Sequence, residues 1–105
     1  YIPVNLVKEE QTSLEYKGIH PGGLVPSCVF SNAAGERITL TQSLAIIEYL
    51  DAIYPGTSPL LPVNDPLAKA QILEIVYCIA CDIHPVQNLR VLKSYPEEDR
   101  PDRAK

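Results

Sequence analysis

The organisation of this chain is clearest in one stretch, Leu40-Thr41-Gln42-Ser43-Leu44-Ala45-Ile46-Ile47-Glu48-Tyr49-Leu50. Apolar residues recur every three or four positions from Ser43 to Tyr54, which predicts an amphipathic helix with one buried face. Gln42 and Ser43 lie where this helix begins, so backbone N–H groups and the positive end of the helix dipole face outward there. A carboxylate or phosphate could bind at this point; alternatively, Thr41 or Ser43 only caps the helix.

Two short apolar runs before this helix predict an antiparallel hairpin. They are Cys28-Val29-Phe30 and Ile38-Thr39-Leu40, and the polar stretch between them carries Asn32 and Gly35, which favour a hairpin turn. The dipeptide Val25-Pro26 precedes the first strand. Its bond is either an ordinary trans bond, which the local sequence alone favours, or a cis bond that opens the backbone of Val25 for pairing with a peptide-like ligand.

The first part of the chain predicts an edge strand and a short helix. Apolar positions alternate over residues 1–7, and Pro3 has no N–H for a central ladder position, which places this strand at a sheet edge. Thr12 or Ser13 could cap a short helix that runs through Tyr16. The glycines and the proline that follow would end it.

Prolines mark a domain boundary after the amphipathic helix. Four of the ten prolines fall between Pro55 and Pro66, which indicates a stiff connection of the kind that joins domains. We therefore expect one domain over residues 1–56, a linker over 57–65 and the beginning of a helical domain over 66–105.

The helical domain begins with a long predicted helix, from Leu67 to about Leu92, that Pro85 kinks. Hydrogen-bonding side chains crowd around this proline: His84, Gln87, Asn88 and Arg90. They form either part of a ligand site or a solvated helix face. Arg90 is the candidate for binding a substrate carboxylate, because its planar guanidinium can bind a carboxylate through two parallel hydrogen bonds.

The three cysteines, Cys28, Cys78 and Cys81, do not make a disulfide framework. Together with the lack of a signal segment at the start, they predict a reducing, cytosol-like compartment. Cys78 and Cys81 have the C-x-x-C spacing of redox and zinc sites. They lie inside an apolar helix rather than at its start, where the dipole would stabilise a thiolate, so we interpret them as buried structural thiols.

Composition excludes several classes of protein. Apolar residues make up 46% of the chain and charged residues 21%, which indicates a globular protein rather than a disordered one. No apolar run approaches the roughly 18 residues of a membrane span. The net charge is -4 without any run of Lys or Arg, so we expect neither nucleic acid nor an anionic membrane surface as a partner.

Several segments together resemble one family, the maleylacetoacetate isomerases or zeta class of glutathione transferases. The matching segments are Val4-Asn5-Leu6, Gly23-Leu24-Val25-Pro26, the stretch 40–50, Pro59-Leu60-Leu61-Pro62 and most of 80–92. The resemblance implies a thioredoxin-like α/β domain that binds glutathione and here lacks its first strand–helix unit. The start of the all-α C-terminal domain of these enzymes would follow.

The resemblance also implies a cofactor, glutathione, and a set of binding residues. Val25 would pair its backbone with the cysteinyl part of glutathione across a cis Val25-Pro26 bond, and Gln42 with Ser43 would hold the γ-glutamyl carboxylate. The other implied glutathione contacts are Gln11, His84, Asn88, Leu89 and Arg90. The implied reaction converts maleylacetoacetate, a small dicarboxylic keto acid, to fumarylacetoacetate in phenylalanine and tyrosine breakdown, in a cytoplasmic homodimer.

This sequence departs from the family's pattern at the residues that carry catalysis. The Ser-Ser-Cys motif with which the family stabilises its thiolate has no counterpart here, and Cys28, Cys78 and Cys81 do not replace it by position, so no catalytic residue is assigned. Because Tyr1 opens directly on a strand pattern, we expect a piece of a longer enzyme. The resemblance places the missing first strand between residues 1–7 and the hairpin, so the edge strand has lost its ladder partner and we expect the piece to be unstable or prone to aggregate alone. The alternatives are a non-catalytic binding or assembly module of the same fold, or a thiol redox or metal protein.

Overall fold

A computed structural model describes residues 1–54, 56 and 59–100 of the chain. The chain divides into two units, Tyr1–Leu60 and Leu61–Lys105. The first contains α1 (Leu14–Ile19), β1 (Ser27–Ser31), β2 (Arg37–Thr41) and α2 (Ser43–Ile53), and the second contains α3 (Pro66–Tyr77) and α4 (Leu89–Leu92). Pro55, residues 57 and 58 of the predicted linker and residues 101–105 of the tail lie outside the described residues. The domain bounds 1–56, 57–65 and 66–105 remain a proposal.

The predicted hairpin is confirmed. β1 and β2 pair antiparallel from Ser27 opposite Thr41 to Ser31 opposite Arg37. Asn32 closes the turn with its side chain, whose Oδ1 accepts the N–H groups of Ala34 at 3.0 Å and Glu36 at 2.9 Å. An Asn at this position therefore supplies the acceptor that the turning backbone lacks.

The predicted helix after the hairpin is also confirmed, as α2, and it packs against the sheet through few residues. Phe30 of β1 stacks on Tyr49 of α2 with ring centroids 4.8 Å apart. Within the described ranges, Ile46 is the one apolar side chain that is buried, at 9% exposure, whereas Ile47 and Ile53 remain 46% and 45% exposed. The first unit thus has a small core, and much of the apolar surface of α2 is uncovered by described residues.

The predicted edge strand over residues 1–7 is wrong. Asn5 instead organises a turn: its Oδ1 accepts the N–H groups of Val7 at 3.0 Å and Lys8 at 3.1 Å, and its own N–H donates to Glu10. A strand needs a neighbour for its ladder, and the hairpin is the only sheet of the described residues. The N–H groups of Asn5, Val7 and Lys8 are satisfied by local side chains instead.

The short predicted helix is present as α1. The side chain of Ser13, rather than Thr12, accepts the N–H of Tyr16 at 3.2 Å and caps it. The helix continues through Gly18 and ends at Ile19, one residue before His20 and two before Pro21. A proline cannot continue the helix because it has no N–H to donate.

The long helix predicted from Leu67 to Leu92 is wrong in its extent. α3 ends at Tyr77, and the backbone widens into a π-helix over Cys78–Ile83 that closes with a bond from the N–H of His84 to the carbonyl of Ile79 at 2.8 Å. Pro85 then ends the regular bonding, since it has no N–H and its ring crowds the carbonyl four residues earlier. A separate helix, α4, begins after Asn88.

The interpretation of Cys78 and Cys81 as buried structural thiols is wrong as well. Both are exposed, and Cys28 in β1 is half-buried; all three are free thiols. The two helical cysteines lie on the widened segment, which no second layer of described residues covers. In the described part of the chain no helix is both long and apolar enough to cross a bilayer.

Candidate functional site

Two of the predicted anchor points lie at the same end of the hairpin. β1 begins at Ser27, which pairs with Thr41 at the end of β2. Val25 lies two residues before Ser27, and Ser43 lies two residues after Thr41. Because paired strands are about 4.8 Å apart, the segments that carry Val25 and Ser43 leave the sheet side by side.

The first turn of α2 is open. Gln42 occupies the cap position with φ 75° and ψ 112°, and its side chain makes no capping bond. The first helical bond runs from the N–H of Ile46 to the carbonyl of Gln42 at 3.1 Å, which leaves the N–H groups of residues 43–45 without a partner among the described residues. Neither the Thr41 nor the Ser43 hydroxyl bonds this turn in the described part of the chain. Gln42 and Ser43 are both exposed, so a carboxylate could reach these donors.

Val25 presents an unpaired stretch of main chain beside this helix start. The Val25-Pro26 bond is cis. Val25 is 40% exposed, and its N–H and C=O have no hydrogen-bond partner among residues 1–54, 56 and 59–100. Both groups are therefore available to an extended ligand with a peptide backbone.

Gln11 lies against the loop that carries Val25. It belongs to a 3-10 turn over Glu10–Thr12, and its side-chain Oε1 is buried with no partner in the described structure. Gly23, which is buried and has φ 62°, approaches so closely that a Cβ there would lie 3.1 Å from the main-chain oxygen of Gln11. Both the backbone conformation and this close contact therefore favour a glycine at 23. The first unit thus brings Gln11 to the Val25 loop.

The remaining predicted residues form a second group, within the second unit. Asn88 caps α4, since its Oδ1 accepts the N–H of Arg90 at 3.0 Å, and it is half-buried. Leu89 is 38% exposed, and the side chains of His84 and Arg90 are exposed. One short segment therefore carries four of the predicted contacts. In the described ranges no three His, Cys, Asp or Glu side chains cluster as metal ligands would.

Sequence reasoning missed Tyr16 and Ser27, which surround Val25-Pro26. The Tyr16 hydroxyl donates to the carbonyl of Leu24 at 2.7 Å and lies 3.0 Å from the Ser27 hydroxyl. These partners are eight and eleven residues away, so no helical or strand period joins them to Tyr16. A tyrosine on the helix just before a Gly/Pro loop is the one local signal that could have pointed to this contact.

Comparison with known proteins adds relatives along nearly the whole chain. A maleylacetoacetate isomerase of Aspergillus fumigatus is 44% identical over 94 residues, which cover 88% of this chain and 41% of that protein. The solved structure of a bacterial maleyl pyruvate isomerase, described as a zeta-class glutathione transferase, superposes with a TM-score of 0.79 at 32% identity and covers 99% of this chain and 46% of that one.

A second solved structure, of a glutathione transferase homologue from Sulfitobacter with bound glutathione, superposes with a TM-score of 0.72 at 28% identity over 92% of this chain and 45% of that one. No family model matches the chain. The chain spans about two fifths of the length of the curated proteins that it matches. The fold is that of a partial thioredoxin-like domain followed by the start of a helical domain.

Proposed function

Since the chain is homologous to the zeta-class glutathione transferases along nearly its whole length, we propose that it supplies the glutathione-binding part of a glutathione-dependent cis–trans isomerase. The substrate would be maleylacetoacetate, a dicarboxylic keto acid, and the product fumarylacetoacetate. A general glutathione transferase activity would accompany this reaction in the full-length enzyme. We further propose a homodimer in the cytoplasm, the compartment in which the free thiols of this chain would stay reduced.

One observation carries the proposal: the open start of α2 and the unpaired main chain of Val25 leave the hairpin at the same end. Ser43 would donate its hydroxyl and N–H to the γ-glutamyl carboxylate, and the Gln42 amide would donate beside it. The N–H and C=O of Val25 would pair with the cysteinyl main chain. Gln11 offers a buried acceptor without a donor, which an N–H of the ligand could satisfy.

The second group carries the remaining proposed contacts, which belong to the helical domain. Arg90 would bind a carboxylate of the keto-acid substrate, and His84, Asn88 and Leu89 would line the site. The amide nitrogen of Asn88 remains available for this, because only its oxygen caps α4. Bound glutathione would supply the thiol that adds to the cis double bond and leaves after rotation about the resulting single bond. No residue of this chain is assigned to activate that thiol.

A module that binds glutathione without catalysis is the alternative. The proposed contacts fit this module as well as they fit an enzyme. They would hold the peptide backbone and the carboxylate of glutathione rather than its thiol, and they involve Val25, Gln42 and Ser43. The two functions therefore share a binding site and differ only in turnover.

The experiment uses the full-length protein that contains this chain. Conversion of maleylacetoacetate to fumarylacetoacetate is followed by product analysis with and without glutathione, and glutathione binding is measured by calorimetry. We expect conversion that requires glutathione. Binding without conversion would favour the module, and the absence of any binding would contradict both functions.

A further inference from the structure

The Tyr16 hydroxyl holds both flanks of Val25-Pro26. Its oxygen lies 2.7 Å from the carbonyl oxygen of Leu24 on one side and 3.0 Å from the Oγ of Ser27 on the other. The Tyr16 side chain is half-buried, and it reaches the loop from α1. One atom of one helix thus ties down the residue before and the residue after the dipeptide.

The direction of the two bonds follows from the chemistry of the hydroxyl. A tyrosine has a single O–H proton, and the Leu24 carbonyl can only accept, so Tyr16 gives its proton to Leu24. Ser27 must then donate to the Tyr16 oxygen. The result is a chain of two bonds, from Ser27 through Tyr16 to Leu24, in which each bond polarises the other.

Other contacts of the loop stop short of Val25. His20 accepts the N–H of Gly23 on its carbonyl at 2.9 Å and the N–H of Gly22 on its Nδ1 at 3.0 Å. Among the described residues, the bond from the Tyr16 hydroxyl to Leu24 is the one hydrogen bond that a side chain makes to the main chain of residues 24–26. The strand pairing of Ser27 with Thr41 fixes one end of this segment, and the Tyr16 hydroxyl fixes Leu24 on the other side of Val25.

We propose that Tyr16 is a positioning residue for glutathione: by holding Leu24 and Ser27, it presents the N–H and C=O of Val25 to the cysteinyl main chain. This inference rests on the proposed function. It assigns no contact between Tyr16 and the ligand, because the hydroxyl proton is already committed to Leu24. Removing the hydroxyl should therefore weaken the pairing at Val25 and leave the carboxylate contacts at the start of α2 unchanged.

The test compares two ligands in the full-length protein that contains this chain. One is glutathione, and the other is its ester analogue, in which an oxygen replaces the cysteinyl N–H that would donate to Val25. In the unmutated protein we expect the ester to bind more weakly. In Tyr16→Phe, the Kd of glutathione should rise about three- to tenfold, and the ratio of the two Kd values should fall toward one.

A control variant and two contrary outcomes complete this test. Tyr54→Phe, which removes the hydroxyl of a tyrosine that is 72% exposed, should leave both Kd values unchanged. A purely structural role for Tyr16 would weaken both ligands equally, so an unchanged ratio in Tyr16→Phe overturns the inference. If the unmutated protein does not bind glutathione, the proposed function itself fails, which is a different result.

A second variant tests the same bond chain from its other end. Ser27→Ala should raise the Kd of glutathione about twofold, because Tyr16 keeps its bond to Leu24 but loses its donor. In the Tyr16→Phe background the same change should have no further effect, since both residues act through one network. Full additivity of the two effects would overturn the inference.

Discussion

Helices α2 and α3 begin in opposite ways. At α3, Asp65 closes the first turn, because its Oδ1 accepts the N–H of Ala68 at 2.9 Å, and Pro66 has no N–H that would need a partner. At α2, the cap residue Gln42 makes no side-chain bond to the turn and adopts a φ of 75°. One helix caps its first turn with a side chain, and the other leaves its first turn open.

This difference separates stability from binding. Ser13 and Asn88 cap α1 and α4 in the same manner as Asp65 caps α3, so α2 is the exception among the α-helices of the described ranges. A capped start gains stability and offers few donors to a ligand. An open start lacks the stabilisation of a capping bond, and it keeps donors and a positive dipole end available to an anion.

The largest expected effect concerns the open start. Ser43→Ala in the full-length protein should weaken glutathione binding by about 1–3 kcal/mol, because the hydroxyl that would bond the carboxylate is lost while the helix itself gains a better helix former. Calorimetric titration with glutathione measures this change.

The matched control for Ser43→Ala is Ser31→Ala. Ser31 lies at the opposite, turn end of β1 and is exposed, so its replacement should leave the affinity for glutathione unchanged. Glutathione that binds to Ser43→Ala as tightly as to the unmutated protein would remove Ser43 from the site, and with it the functional meaning of the contrast between α2 and α3.

The next effect concerns the capped start of α3, where we expect a change in stability without a change in binding. Asp65→Ala should lower the free energy of unfolding by about 1 kcal/mol, since the N–H of Ala68 loses its acceptor and the helix dipole loses a nearby carboxylate. The affinity for glutathione should not change. Urea unfolding of the full-length protein measures the first quantity, with Asp65→Asn as the control that keeps a capping oxygen. An unchanged midpoint in Asp65→Ala would show that the cap is not stabilising.

The elements that the sequence predicted correctly are those with a local cause. Asn32 and Gly35 favour the hairpin turn, and the three- and four-residue spacing after Ser43 specifies α2, without reference to any distant residue. The alternation over residues 1–7 was not enough for a strand, because a strand also needs a neighbour, and Asn5 offered the backbone a local turn.

The errors in the second unit have a related origin. The apolar spacing continues through Cys78–Ile83, so no local pattern indicates that the backbone changes there from α to π bonding. Pro85 predicts a disturbance of the helix. Whether a proline kinks a helix or ends it depends on what the following residues bond, and here Asn88 starts a new helix.

The features of the candidate site also differ in whether local sequence specifies them. That Gln42 and Ser43 stand at a helix start follows from local spacing, whereas the positive φ of Gln42 does not, because glutamine rarely adopts it. The hydroxyl of Tyr16 could not be placed from sequence either. Its bonds depend on how the loop returns to α1, which is a property of the folded chain.

The smallest effect tests whether the open start of α2 is strained. A residue with a Cβ is disfavoured at the φ of 75° that Gln42 adopts, and glycine is not. Gln42→Gly should therefore be more stable than Gln42→Ala by about 0.5–1 kcal/mol, after the greater freedom of glycine in the unfolded chain is counted. Both variants lose the side-chain amide, so both should weaken glutathione binding to the same extent. Paired urea unfolding and calorimetric titration separate the two quantities. If the alanine variant is as stable as the glycine variant, α2 stores no strain at its cap, and the contrast with α3 reduces to the presence or absence of a capping side chain.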